Sequence, residues 1–154
     1  MIPLPSNGKK YNQGIYSPRH PEKYVGKQPI RYLSSWELKF FRWCDYINPN
    51  VLEWASESVV IPYINPIDGK AHRYYTDGVL AIREGTGVSK YVIEIKPLKQ
   101  LSPPVPGKRK KQSTIMHENV QFITNNAKWD AAKKWCDEKG YKFLILTEKE
   151  LGIE

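Results

Sequence analysis

Two acids and a lysine are spaced to meet. Asp77 stands in Tyr75-Thr76-Asp77-Gly78, and the run Tyr91-Val92-Ile93-Glu94-Ile95-Lys96 carries the second acid and the lysine. Glu84-Gly85-Thr86-Gly87 between them is a strong turn signal. A bend centred on Gly85 and Thr86 sets Asp77 directly opposite Glu94, because each lies the same number of residues from it. Like charges facing each other across a ladder repel unless something neutralises them, and a divalent cation is the usual agent. Strand alternation puts Lys96 on the Glu94 face and turns Tyr91, Ile93 and Ile95 towards a core.

Hard oxygen donors of this kind suit magnesium, or manganese, and metal-assisted hydrolysis of a phosphodiester. Asp77, Glu94 and the backbone carbonyl of Ile95 are the candidate ligands. Lys96 is placed to orient or deprotonate water or to stabilise phosphate charge, and the residue types do not choose among these roles. An ordinary solvent-facing strand bearing Asp, Glu and Lys is the plain alternative, since the letters alone have low specificity.

These side chains need elements to hold them. Ser34 or Ser35 caps a helix on which Trp36, Phe40, Trp43, Cys44 and Ile47 recur at helical spacing, and Asn48-Pro49-Asn50 stops it. Glu37 lies in its first turn, where a negative charge is favoured. From there it could bind the same metal, a second metal or the attacking water. Residues 51–54 and 58–63 read as short strands, with Asp68-Gly69 as the turn that follows. Residues 73–82 and 90–96 are predicted to form the central hairpin of an antiparallel first half.

Pro97 closes the strand, and the loop 97–114 is rich in proline and positive charge. It carries Lys99, Lys108, Arg109, Lys110 and Lys111, with no acid between Ile95 and Gln112. Because it leaves directly from Glu94-Ile95-Lys96, it is suited to act as a basic flap over a polyanion. Met116, Val120, Ile123, Ala127, Ala131 and Trp135 then mark the apolar face of a long helix capped by Gly140. Gln121, Asn125, Asn126 and Lys128 on that helix are candidate substrate contacts, with a wet helix face as the alternative. Residues 141–146 form an apolar strand beside the hairpin, and Thr147 with Glu150 has capping-box spacing.

The chain of 154 residues fits one domain. Its 24 Lys and Arg against 16 Asp and Glu leave +8, which favours an anionic partner such as nucleic acid. Residues 1–31 hold Pro3, Pro5, Pro18, Pro21 and Pro29 without a sustained period and read as a basic arm bearing Lys9, Lys10, Arg19, Lys23, Lys27 and Arg31. The domain proper then runs 32–154. Cys44 and Cys136 beside Trp43 and Trp135 suit buried thiols in a reducing compartment, or in a particle assembled there. His20, His72 and His117 form no zinc pattern with them. No secretory signal, membrane-length apolar run, phosphate loop or dinucleotide fingerprint is present, so a membrane role, ATP hydrolysis and hydride transfer have little support.

The order of helical Glu37, hairpin Asp77, Glu94-Ile95-Lys96 and a following helix resembles the PD-(D/E)xK nuclease superfamily. More closely, Tyr32-Leu33-Ser34-Ser35-Trp36-Glu37-Leu38-Lys39-Phe40, Arg42-Trp43-Cys44-Asp45, Val60-Ile61-Pro62-Tyr63 and Asn126-Ala127-Lys128-Trp129 resemble the head completion nucleases of T4-like tailed phages. Phe143-Leu144-Ile145-Leu146-Thr147-Glu148-Lys149-Glu150-Leu151 fits as well, so the likeness spans residues 28–151. It extends to the amino-terminal catalytic domain of TnsA-type transposon endonucleases.

The resemblance implies an α/β restriction-endonuclease-like mixed sheet flanked by helices. It implies a magnesium-dependent DNA endonuclease and exonuclease acting before head-tail joining, with Glu37, Asp77, Glu94 and Lys96 as catalytic residues. Phage head or portal proteins are the implied partners, and the host cytoplasm during infection or the virion the implied location. Lys99, Lys108, Arg109, Lys110, Lys111, Asn125 and Lys128 are the expected DNA contacts. Thr76 replaces the proline of the nominal motif. Gly78 replaces a bulky apolar residue, which leaves the strand looser and its register open to slippage. A structural or DNA-binding head-completion protein without catalysis is the second class.

Overall fold

The computed structural model describes residues 13–107 and 109–153. In chain order it contains β1 (Gly14–Tyr16), β2 (Ile30–Tyr32), α1 (Ser35–Arg42), β3 (Val51–Ser56), β4 (Val60–Asn65), β5 (Lys70–Tyr75), β6 (Gly78–Glu84), β7 (Gly87–Ile95), α2 (Gln112–Lys139), β8 (Lys142–Leu146) and α3 (Glu148–Leu151). A π-helical turn, Trp43–Ile47, continues α1. The central sheet has the order β3-β6-β7-β8, antiparallel except for the parallel pair of β7 and β8. This is the mixed α/β architecture expected of a restriction-endonuclease-like domain.

Alternation along the strands divides the interior in two. On one side Phe40, Phe41, Trp54, Leu80 and Ile93 pack together, joined by Ile95 and Leu146. On the other, Ile61, Tyr63, Tyr74, Trp129 and Ala132 pack together, joined by Phe143 and Ile145. Glu94 therefore faces the α2 side, between the core neighbours Ile93 and Ile95. The local signals that start and stop elements hold: Ser34 accepts from the Glu37 amide, Gly140 caps α2 at φ 80°, and Thr147 and Glu150 form a capping box.

Four expectations are corrected. The arm expected over residues 1–31 is built into the fold from β1 onward; Lys9 and Lys10 lie outside the described residues. β1 and β2 pair antiparallel, and Tyr16, Tyr24 and Ile30 are buried in the larger core. Asp45, fully buried in the π-helical turn, fastens this segment by accepting from the Tyr16 hydroxyl at 2.6 Å and from the Arg19 and His20 amides at 2.7 and 2.9 Å. Burial pushes the Asp45 carboxyl up, but these donors outweigh it and hold the group below its ordinary value.

The strand expected over 73–82 is two strands, because Thr76 breaks the ladder by turning both its amide and its hydroxyl to the Val59 carbonyl. β4 and β5 consequently form their own two-stranded sheet. The long helix begins at Gln112, inside the expected loop. It buries Asn125, Trp129, Ala132 and Cys136, whereas Met116 and Ile123 from the expected face are exposed. Only the second half of α2 lies on the sheet.

Gly78 is not a loose point. The register runs unbroken from Gly78↔Ile93 to Glu84↔Gly87, and a Cβ at Gly78 would stand 2.6 Å from Cε2 of the fully buried Phe40. Close approach of α1 to this strand demands glycine. Gly78→Ala is therefore expected to destabilise the fold by about 1–3 kcal/mol through overpacking, read as a lower denaturant midpoint. An unchanged midpoint would show that Phe40 gives way freely.

Candidate active site

The two-residue bend at Gly85 and Thr86 sets the register that carries Asp77 to Glu94. Asp77 sits just before β6, and its amide donates to the Ile93 carbonyl at 3.0 Å, so the pairing extends one residue past the strand. Its Oδ2 accepts from the Ile95 amide at 2.7 Å. Glu94 is 4% exposed, and its Oε2 accepts from Trp129 Nε1 at 3.1 Å. The two carboxyl groups face each other at hydrogen-bonding range.

Such a pair does not hold two negative charges easily. Burial, then the hydrogen bond and charge of Glu94, push the Asp77 carboxyl up to about 9, against the pull of the Ile95 amide. A proton is thus held between the acids at neutral pH. Among the described residues neither acid has a salt-bridge partner. The donor set is oxygen only, and its charge deficit is the kind that a hard divalent cation relieves, so the residues fit magnesium or manganese.

Glu37 stands near enough for its charge to raise the Asp77 carboxyl, but its own carboxylate is held elsewhere. Its Oε1 accepts from the Leu33 amide at 2.8 Å, just ahead of the helix it begins. Burial raises its carboxyl, the Leu33 amide opposes this, and the nearby Glu57 charge raises it further. No group of three or more His, Cys, Asp or Glu side chains suited to a metal forms among the described residues. Lys96 follows β7, half-buried, with its amide on the Leu146 carbonyl.

The expected DNA contacts divide. Lys99, Arg109 and Lys111 are exposed, and Lys108 lies outside the described residues. Lys110 is engaged: its Nζ bonds Glu118 at 2.8 Å and the Val105 carbonyl at 2.9 Å, tying the flap to α2. Asn125 is buried one turn before Trp129 and, with Lys99, Lys110 and Phe122, lines a cavity of about 470 Å³ beneath the flap. Lys128 Nζ stands over the rings of Tyr74 and Tyr63 at 5.6 and 6.0 Å. Asn126 is committed to its own helix, donating to the Phe122 carbonyl.

Two residues escaped the sequence reading. Trp129 has no local signal for this role, because its bond to Glu94 joins residues 35 apart in the chain. Glu57 has φ 49°, and its amide donates to the Asp77 carbonyl at 3.3 Å, bringing another acid to this rim. A non-glycine residue in the left-handed region has no dependable signature.

Residues 48–148 match the family of the TnsA-like endonuclease N-terminal domain. The chain belongs to that family. The matched span of this TnsA-like chain holds Asp77, Glu94, Lys96 and Trp129, while Glu37 lies ahead of it. The chain is also similar to the head completion nuclease of Enterobacteria phage T4, with 37% identity over 142 residues, 90% of this chain and 92% of that protein. No solved structure matches it.

Proposed function

We propose that this protein is a nuclease of phage head completion, hydrolysing DNA phosphodiesters with magnesium, or manganese, as its cofactor. The observation that carries the reading is the pairing of Asp77 with the buried Glu94 at the end of the central hairpin, with no cationic side chain bridged to either among the described residues. Family membership and the name of the T4 relative support it. Asp77 and Glu94 would hold the ion, with the Ile95 carbonyl as a further ligand. When bound, the ion supplies charge stabilisation at the phosphate and eases ionisation of water.

The chain's own groups do the rest. The Ile95 amide and the Trp129 indole orient the two carboxylates. Lys96 stands beside Glu94 in sequence, as a donor to water or phosphate. Lys99, Lys108, Arg109 and Lys111 supply positive charge along the exit loop for the DNA backbone, with Asn125 and Lys128 on the facing helix, while Lys110 fastens that loop to α2 through Glu118. Glu37 is assigned catalysis from its first-turn position and the resemblance; held by the Leu33 amide, it contributes negative potential near Asp77. Head or portal proteins are the proposed partners, in the host cytoplasm during infection or in the virion.

Purified protein with supercoiled plasmid and magnesium or manganese is expected to yield nicked or degraded DNA, and chelation to stop it. Folded protein that retains DNA without cutting it under either metal would instead identify a DNA-binding head-completion protein.

A further inference from the structure

Two aromatic side chains close the Glu94 side of the acid pair. Trp129 Nε1 already donates to Glu94 Oε2. Tyr74, on β5, is 3% exposed and packs in the same cluster as Trp129, Ile61 and Ala132. Its hydroxyl is fully buried and has no hydrogen-bond partner. An orphan of this kind is costly, so its presence asks for an explanation. Burial first, then the charge of Glu94 and a hydrogen-bonding approach to it, raise the Tyr74 hydroxyl far above its ordinary range, with Asp77 adding to the effect. The hydroxyl is a donor that approaches Glu94 without reaching full hydrogen-bond geometry. Lys128 approaches the face of the same ring, not a position that satisfies the hydroxyl.

We propose that Tyr74 and Trp129 are positioning residues for Glu94, with the indole N–H holding one carboxylate oxygen and the phenol O–H serving as the second donor in the metal-loaded site. This rests on the reading of the site as a metal-dependent nuclease. Two donors fix the plane of the Glu94 carboxylate, as partners of ligating groups commonly do, and leave its free lone pairs towards Asp77. The orphan hydroxyl is then a cost in the metal-free fold that is recovered on loading.

Tyr74→Phe keeps the ring and removes only the donor, and thermal unfolding, manganese titration calorimetry and steady-state cleavage are measured on the full chain. The expected result is an unchanged or higher metal-free melting temperature, manganese affinity weakened about 10–100-fold, and kcat lowered similarly with KM for DNA unchanged. Trp129→Phe, checked for folding by the same melt, is expected to weaken manganese binding as well. Wild-type manganese affinity and kcat in Tyr74→Phe would overturn the proposal, as would a lowered metal-free melting temperature, which would make the hydroxyl structural. A wild-type protein that neither binds manganese nor cuts DNA would instead remove the nuclease reading itself.

Discussion

Asp77→Asn is expected to lower DNA cleavage at least about a thousandfold while making the metal-free protein harder to unfold at alkaline pH. Both effects come from one carboxyl. The amide keeps an oxygen for the Ile95 N–H and places a donor towards Glu94, but it cannot supply an anionic ligand. The stability effect follows from proton linkage. In the folded metal-free chain the group titrates at about 9, against an ordinary value of 3.8, so between those values the native state holds a proton that the unfolded state has released.

Its contribution is fully present below the ordinary value and is lost as pH rises through the folded one. The unfolding free energy of the wild type therefore falls towards pH 9, whereas the asparagine variant is spared this loss. A gain on the order of 2 kcal/mol, or about 4–8 °C in melting temperature, is expected at the alkaline end. The difference shrinks as pH falls. A variant that cuts DNA at the wild-type rate, or melts lower than wild type at alkaline pH, would contradict this account. The opposite signs of the two effects make the test specific.

Manganese affinity is expected to rise about tenfold per pH unit between about pH 6 and pH 8, levelling as the Asp77 carboxyl loses its proton unaided. A cation competes with that proton for the same pair of acids. Calorimetry in two buffers of different ionisation heat should report close to one proton released for each ion bound. The same linkage predicts that cleavage at subsaturating metal climbs with pH over this range. A flat affinity, with no buffer-dependent heat, would mean that the ion binds elsewhere. Chelation should leave the fold intact, since neither core includes Asp77 or Glu94.

The acid pair was legible because a two-residue bend and a period of two leave little freedom once the turn is recognised: Glu84 pairs with Gly87, and everything beyond follows. Caps were legible for a similar reason, each being a short local pattern. The amino-terminal segment was not, because three-residue strands are too short to show a period and Asp45, which anchors Tyr16 of the first, lies 29 residues from it in sequence. Gly78 stood out as an anomaly, but its cause is a ring from another element; the pressure of Phe40 has no trace in the strand itself. Glu37 illustrates the same limit. Its place at a helix start could be read, whereas its capture by the free amide of Leu33 depends on how the chain enters that helix.

The buried face of α2 was misjudged because a helix with apolar residues on more than one side does not declare which side meets the sheet. Trp129 and Asn125 share the buried side, and only packing against the β4–β5 hairpin and β8 selects it. The supporting groups of the site, Trp129 and Tyr74, became visible through that packing, while the ligand pair itself did not need it.

The central claim is that Asp77 and Glu94 hold one divalent ion. A crystal grown with manganese at alkaline pH, with diffraction recorded for anomalous scattering, tests it most directly. The account predicts a single strong peak within coordination distance of an oxygen from each carboxylate. Carboxyl groups still bonded to each other at saturating manganese, with no peak between them, would contradict it.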